Sequence, residues 1–496
     1  MREPRPAGWW IVPAALLVGG AVCAVAWWLL SSLPAFPTTA AEAAARQGAL
    51  QVALTAGAGI GAAITVMLAF RRQRHQELTT LITSRQADRT AELAERVAEY
   101  NRQDAIERRI TELYAKAVEQ LGSGKAAVRL GGLYALERLA QGNPDHRQTI
   151  VNVICAYLRM PYTAPAVAAT NSLPPGPWHT EADFADQEGE RQVRLTAQRI
   201  LAEHLRDERT VNQRETTPAG PHFWEAIDVD LSGATLINMN FNHCRAGKAR
   251  FNRSVFVGAA FFRNADFGDN ALFYGAQFKG EAWFSGANFE YSVFSEAVFE
   301  SSARFSSAIF ARGTEFHGVT FVDPVWFSGS RFGAMAWFDE ATFNAMARFD
   351  KATFKGAVIF NGAEFNGAAT FTKVTAVKNS EFRNAVFSKE VDFSRARFSR
   401  STLFDKATFK GNAEYGEAIF EGTVSFVESF FMGKASFVKT VFSRKVRFEN
   451  VRTLMSDAGH SWPGGWTVVV GTDGTGMLRR DDATPSASDP APAEEE

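Results

Sequence analysis

Residues 347–357 read ARFDKATFKGA, with Phe at the third and eighth places and Ala two residues before each. The same phrase recurs, with substitutions, from Phe251 to Phe448. Counting from Phe251, the next rungs are Phe256, Phe262, Phe267, Phe273 and Phe278, in alternating steps of five and six. The series has 37 rungs, and all are Phe except Ala376 and Tyr415. One rule therefore accounts for 35 of the chain's 42 phenylalanines, in a protein with only 8 Tyr and 9 Met. Such a bias means that one structural slot is filled again and again. The position two before each rung is restricted as well: every one is Ala, Ser, Thr or Val.

A five-residue step fits neither a 3.6-residue helix nor a two-residue strand, since both would scatter successive rings over different faces. It fits a square coil, each side a short extended segment and each corner a turn. The Phe of each side points inward, as in Phe251, Phe256, Phe262, Phe343, Phe349, Phe354, Phe393 and Phe398. The small residue two before it also turns inward, where there is little room. Coils stacked about 4.8 Å apart can pair their backbones and stack their rings into dry columns. A single coil could not bury such a column, so the repeats stand only as an array. Between Phe289, Phe294 and Phe299 the steps are five and five where a six is due, and Phe305 resumes the six. One corner residue is missing there without a change in the phase of the other corners, which places the sixth residue outside the coil.

These residues resemble the pentapeptide-repeat family. Its pattern of Ala, then Asp or Asn, then Leu or Phe and two further residues appears as ANFEY at 287–291, ADFGD at 265–269 and, earlier, IDVDLSGATL at 227–236. The resemblance covers 227–450 and implies an all-β right-handed quadrilateral β-helix. The extra residue at every second step departs from the family pattern. It is expected to form a bulged turn at two opposite corners, giving 22 residues per coil. The helical stretch before the repeats also resembles the segment preceding them in membrane-attached actinobacterial members.

Outward from the repeats, residues 8–30 (GWWIVPAALLVGGAVCAVAWWLL) carry no charge, and 49–70 form a second uncharged stretch. Each is long enough to cross a hydrocarbon core of about 30 Å. Trp9 and Trp10 at one end and Trp27 and Trp28 at the other suit an interfacial belt. A signal peptide fits less well, because no small-residue cleavage site is evident and a second span follows closely. Residues 1–72 thus read as a two-span transmembrane hairpin. Arg2 and Arg5 precede it, Arg71, Arg72, Arg74 and His75 follow it, and the intervening loop holds only Arg46 and Glu42. The positive-inside rule puts both termini in the cytoplasm of a bacterial cell, in contact with inner-membrane lipid.

Residues 73–121 read as a helical stalk, with Leu93, Val97, Tyr100, Ile106, Ile110, Leu113, Ala117 and Leu121 at mostly helical steps. Self-association could run through this helix (88–121) or through Gly57 and Gly61 on the second span. Residues 122–207 read as a HEAT-like helical region holding a Pro- and Ala-rich loop, 160–190. Its GSGK at 122–125 is a turn rather than a phosphate loop: Glu119 stands where the first Gly should be, and Ala126 where Ser or Thr should be. Residues 451–480 are expected to hold a hairpin over the open end of the coil. Residues 481–496 (DDATPSASDPAPAEEE) have a disordered composition.

Function is less legible. Cys23, Cys155 and Cys244 are far apart, which argues against both a disulfide framework and a metal site. The eight histidines fall in no ligand spacing, and no hydrolase, Walker or Rossmann motif is present. The expectation is a non-catalytic protein without cofactors: a tethered scaffold or interaction module for an unidentified protein. The alternative is a regulator of DNA gyrase by partial DNA mimicry. Residues 251–450 carry 23 Lys plus Arg against 21 Asp plus Glu, so their charge does not imitate a polyanion. Direct nucleic-acid binding is not expected either, since the rings are inside. Basic residues number 7 against 11 acidic in 251–350, and 16 against 10 in 351–450. The expected interaction patch is therefore the later end, at Lys389, Arg395, Arg397, Arg400, Lys406 and Lys410.

Overall fold

A computed structural model describes residues 8–35, 38–163, 181–454, 459–471 and 475–481. Two compact units divide the chain, Met1–Arg108 and Arg109–Glu496. In the first, α1 (Gly8–Ser31) is followed by the start of α2 (Thr39–Leu121), a helix of 83 residues. By length and composition α1 and α2 could each cross a membrane. The sequence suggests a connecting loop as far as Gly48, but the helix begins at Thr39. The run AAEAAAR has high helix propensity, and Arg46 pairs with Glu42 one turn back at 2.7 Å. Nothing interrupts the helix between Phe70 and Arg71, so the uncharged stretch 49–70 and the charged residues after it share one helix. A Cβ added at Gly57 would lie 2.7 Å from Val22 of α1, whereas one at Gly61 would meet open space. Gly57 thus serves packing within the hairpin. The side chains of Trp9 and Trp10 and residues 1–7 lie outside the described residues.

In the second unit, α3 (Ala126–Gly142), α4 (Arg147–Arg159) and α5 (Glu181–Leu205) pack together. They do not form a free-standing repeat pair. Leu133, Leu136, Ile150, Ile154, Val193 and Ile200 share one core with the first coils of the rod, including Trp224, Leu236 and Phe241. Ile110, Tyr114, Ala117 and Leu121 of α2 join that core, while Leu93, Val97 and Tyr100 are exposed. The loop residues 164–180 lie outside the described residues.

From Val229 the chain forms a parallel solenoid with four short strands per coil. In the later coils, face one carries strands such as Arg331–Phe332, face two Ala336–Trp337, face three Thr342–Phe343 and face four Ala347–Arg348. Phe321 pairs in register with Phe343, and Phe343 with Phe365, so one coil is 22 residues. The first coils are shorter: Val229 pairs with Ala249 and Thr235 with Val255. At the missing residue, Ala271 pairs with Ser292 and Phe278 with Phe299, one short of the full coil.

Two kinds of corner alternate, which explains the five and six. The short corner is a four-residue turn such as Phe360–Ala363, where Ala363 N–H donates to Phe360 O at 3.1 Å. Its third residue has positive φ, as in Gly362 at 68° and Arg395 at 59°, the pattern of a type II turn. The long corner spans three residues between strands, such as Lys410, Gly411 and Asn412. A Cβ at Gly411 would come within 2.2 Å of the Lys389 carbonyl carbon in the coil beneath. A side chain at Gly411 would therefore clash with the coil beneath.

Every rung is buried except Phe442 in the last coil, which is partly covered. Within a column the rings stack nearly parallel, as Phe349 on Phe371 at 4.9 Å and 0°. Between columns they meet edge to face, as Phe349 and Phe360 at 5.3 Å and 86°. Both geometries suit the phenyl quadrupole. Some hydroxyls in the small column bond locally, as Ser330 Oγ donates to Phe327 O at 2.6 Å, while those of Ser380 and Ser429 are buried without a partner among the described residues.

Candidate functional site

The aromatic ladder is the interior, so any interaction surface consists of the four outer faces and the corners between them. Phe251, Phe256, Phe262, Phe343, Phe349, Phe354, Phe393 and Phe398 all lie inside. The structure does not gather the six cations of the expected basic end into one patch. Lys389 and Lys410 lie on the long corner between faces three and four, in successive coils. Arg400 lies on the other long corner, Arg395 and Lys406 on the two short corners, and Arg397 on face one. Three of the six are paired with the next coil: Arg395 with Glu417 at 3.1 Å, Arg397 with Glu421 at 2.6 Å, and Lys406 with Glu428 at 3.8 Å. The Arg395 guanidinium holds the Glu417 carboxyl below its usual range, helped by Lys439. Among the described residues, Lys389, Arg400 and Lys410 have no ion pair. A shallow groove of about 530 Å³ runs beside Arg395, lined also by Lys373, Asp392, Glu414, Glu417 and Lys439. Its walls carry both signs.

Averaging charge along the chain misleads because a rod sorts its residues by face. Face four shows this best. Its outward positions read Phe261, Trp283, Arg304, Trp326 and Arg348, then Thr370, Asp392, Glu414 and Ser436 in successive coils. This face is cationic and aromatic at its start and acidic later, opposite to the trend of the whole rod. The Arg304 guanidinium lies between two indoles, 4.4 Å from the Trp283 ring centroid and 4.5 Å from that of Trp326. Arg263, on the adjoining short corner, covers the Trp283 ring at 4.0 Å. This ladder is not visible in the linear sequence. Aligning the chain in 22-residue rows, with one short row, would have brought Trp283, Arg304, Trp326 and Arg348 into one file.

The remaining polar features serve the fold. His204 is buried, stacked on Trp224 at 3.8 Å and bonded to Glu137 Oε1 at 2.9 Å and to the His222 carbonyl at 2.7 Å. Cys155 and Cys244 are buried free thiols, which desolvation pushes up to about 12. Cys244 Sγ donates to Ala202 O at 3.4 Å.

A family model described as pentapeptide repeats (9 copies) matches residues 246–288, 284–331, 327–375 and 382–429. The rod is a pentapeptide-repeat solenoid. The break between the last two matches opens on Ala376, the rung at which the pentapeptide ladder loses its ring. No match was found among curated proteins or among solved structures.

Proposed function

We propose that this pentapeptide-repeat protein is a non-catalytic scaffold tethered to the inner face of a bacterial cell membrane. In this reading α1 and the first part of α2 form the anchor, with both termini cytoplasmic, as the flanking arginines favour. The rod is the working part. The observation that carries the reading is the continuous hydrophobic core from Ala117 through the helices and the coils to the terminal strands. Such a core holds the outer faces at fixed spacing, so side chains from successive coils form ordered files that a partner can read. The exposed Leu93, Val97, Tyr100 and Ile106 on α2 support self-association through that helix. Gyrase regulation by mimicry draws no support from a surface with balanced charge.

Proximity labelling in the native host tests the proposal, with the full chain compared to a chain lacking residues 227–450. A scaffold predicts that a defined set of cytoplasmic neighbours disappears with the rod. An unchanged set of neighbours would overturn it.

A further inference from the structure

We infer that the first half of face four is a binding surface for an extended acidic polypeptide segment of a partner protein. This inference rests on the scaffold reading and names the chemistry of one of its partners.

Several arginines elsewhere on the rod are spent on ion pairs, although Arg253, Arg331 and Arg400 have none among the described residues. Arg312, Arg383, Arg395, Arg397 and Arg447 each pair with a carboxylate. Arg263 on the adjoining corner, and Arg304 and Arg348 on the face, pair with none among the described residues. Arg263 and Arg304 have aromatic partners instead. The indoles of Trp283 and Trp326 flank the Arg304 guanidinium at 4.4 and 4.5 Å, and its Nε is buried with no hydrogen-bond partner among the described residues, so its donors are not spent within the protein. A guanidinium fixed in this way loses little freedom when a carboxylate docks, so the face is organised before binding.

Two features select an acidic peptide over a nucleic acid strand. The Trp283 indole, which a base would need for stacking, is already covered by Arg263 and Arg304, and the Trp326 indole is covered by Arg304 alone. The spacing also suits a peptide. Arg304 and Arg348 are two coils apart, steps of 4.8 and 4.9 Å by the rings beneath them. An extended or polyproline chain advances about 3.1–3.4 Å per residue, so carboxylates three residues apart match that separation. Of the carboxylates on the adjoining corners, Glu281 accepts from the Trp283 indole N–H at 3.2 Å and Asp350 accepts from the Thr372 hydroxyl, while Asp323 is exposed beside Trp326. Further along the face, Asp392 and Glu414 repel an acidic chain, which confines the footprint to the coils before Thr370.

The test uses the full-length protein in detergent and a labelled peptide of repeated Glu-Pro-Pro, which sets a carboxylate at every third residue of a polyproline helix. Fluorescence anisotropy should show binding that weakens with salt and falls at least roughly tenfold in Arg304→Gln/Arg348→Gln. The single exposed change Arg348→Glu should weaken binding as well, and it disturbs no stacked pair. Thermal unfolding of each variant separates lost binding from lost fold. Three results would overturn the inference: no binding by the wild type, equal binding by folded variants, or tighter arginine-dependent binding of an oligothymidylate. A chain truncated after Asp481 that alone binds the peptide would make the acidic tail of 482–496 the occupant, and would equally overturn a partner segment. Because these readouts use isolated protein, they can fail while the labelling experiment succeeds, and the reverse.

Discussion

The two ends of the rod are closed by different means. At the first coils, side-chain amides imitate a missing strand: Gln198 accepts from Ile237 N–H at 2.9 Å and donates to Ile237 O at 2.8 Å. Gln148 does the same to Asp228, at 2.9 Å in both directions. Asp207 N–H donates to His243 O at 2.9 Å, so the chain leaving α5 covers another side. At the far end the antiparallel hairpin Trp466–Val470 and Gly476–Arg480 adds to the Arg452–Thr453 strand. Trp462 plugs the core against Phe437 and Phe448, and Ser461 continues face four. Among the described residues, faces one and two receive no such cover, and Val441 is 50% exposed. A repeat satisfies its own interior coil by coil, but an end must be finished by residues outside the repeat. The helical end is sealed on more sides, so it is the end expected to resist fraying.

The largest expected effect lies between the ends. Phe343→Ala should cost about 3–5 kcal/mol from lost transfer energy and a cavity. Its companion change Ala341→Leu should cost about 1–3 kcal/mol by overpacking the same coil. Thermal unfolding reads both, and a silent Ala341→Leu would show that the small column is not confined. Next comes the sealed end. Gln198→Leu leaves two buried backbone groups of Ile237 without partners, at about 1–3 kcal/mol for each group left bare. Hydrogen exchange should then rise in the first coils and stay unchanged in the last. Equal exchange at the two ends of the wild type would remove the contrast drawn above.

Smaller effects sharpen the comparison. The Tyr415 hydroxyl is fully buried without a partner among the described residues, and burial pushes the phenol far up. Tyr415→Phe should therefore stabilise by about 1 kcal/mol, read as a higher melting temperature; a loss would mean that the hydroxyl is satisfied. The smallest effect is on the surface. A hydrogen bond to Asp339 raises His317 above its ordinary value of 6.5, so the folded state holds the proton more tightly. That contribution is complete below the unfolded value and is lost as pH rises through the folded one. The melting difference between wild type and His317→Asn should shrink from roughly pH 6 to pH 8. A difference that grew would reverse the sign.

The same contrast explains how much could be read from the sequence. The rungs, the small column, the 22-residue coil and the dropped corner residue were legible because each coil repeats the same demand for burial. The terminal hairpin was legible from TVVV at Thr467–Val470 and the turn residues after it. The roles of Gln148 and Gln198 were not, because a glutamine on a helix signals nothing until the bare strand is placed opposite it. Nor was the dispersal of Arg395, Arg397 and Arg400. Neighbours in sequence share a region of the rod, but the corners turn them to different sides. The Arg and Trp file on face four was hidden for the complementary reason, since its members lie 21 or 22 residues apart.

The scaffold account stands most directly on which side of the membrane the rod occupies. Cys155 and Cys244 are buried, so a chain with Cys23→Ser and a single added cysteine at exposed Glu364 reports one site. A membrane-impermeant maleimide should leave this protein unlabelled in intact cells and label it after permeabilisation. Labelling in intact cells would place the rod outside and contradict the account.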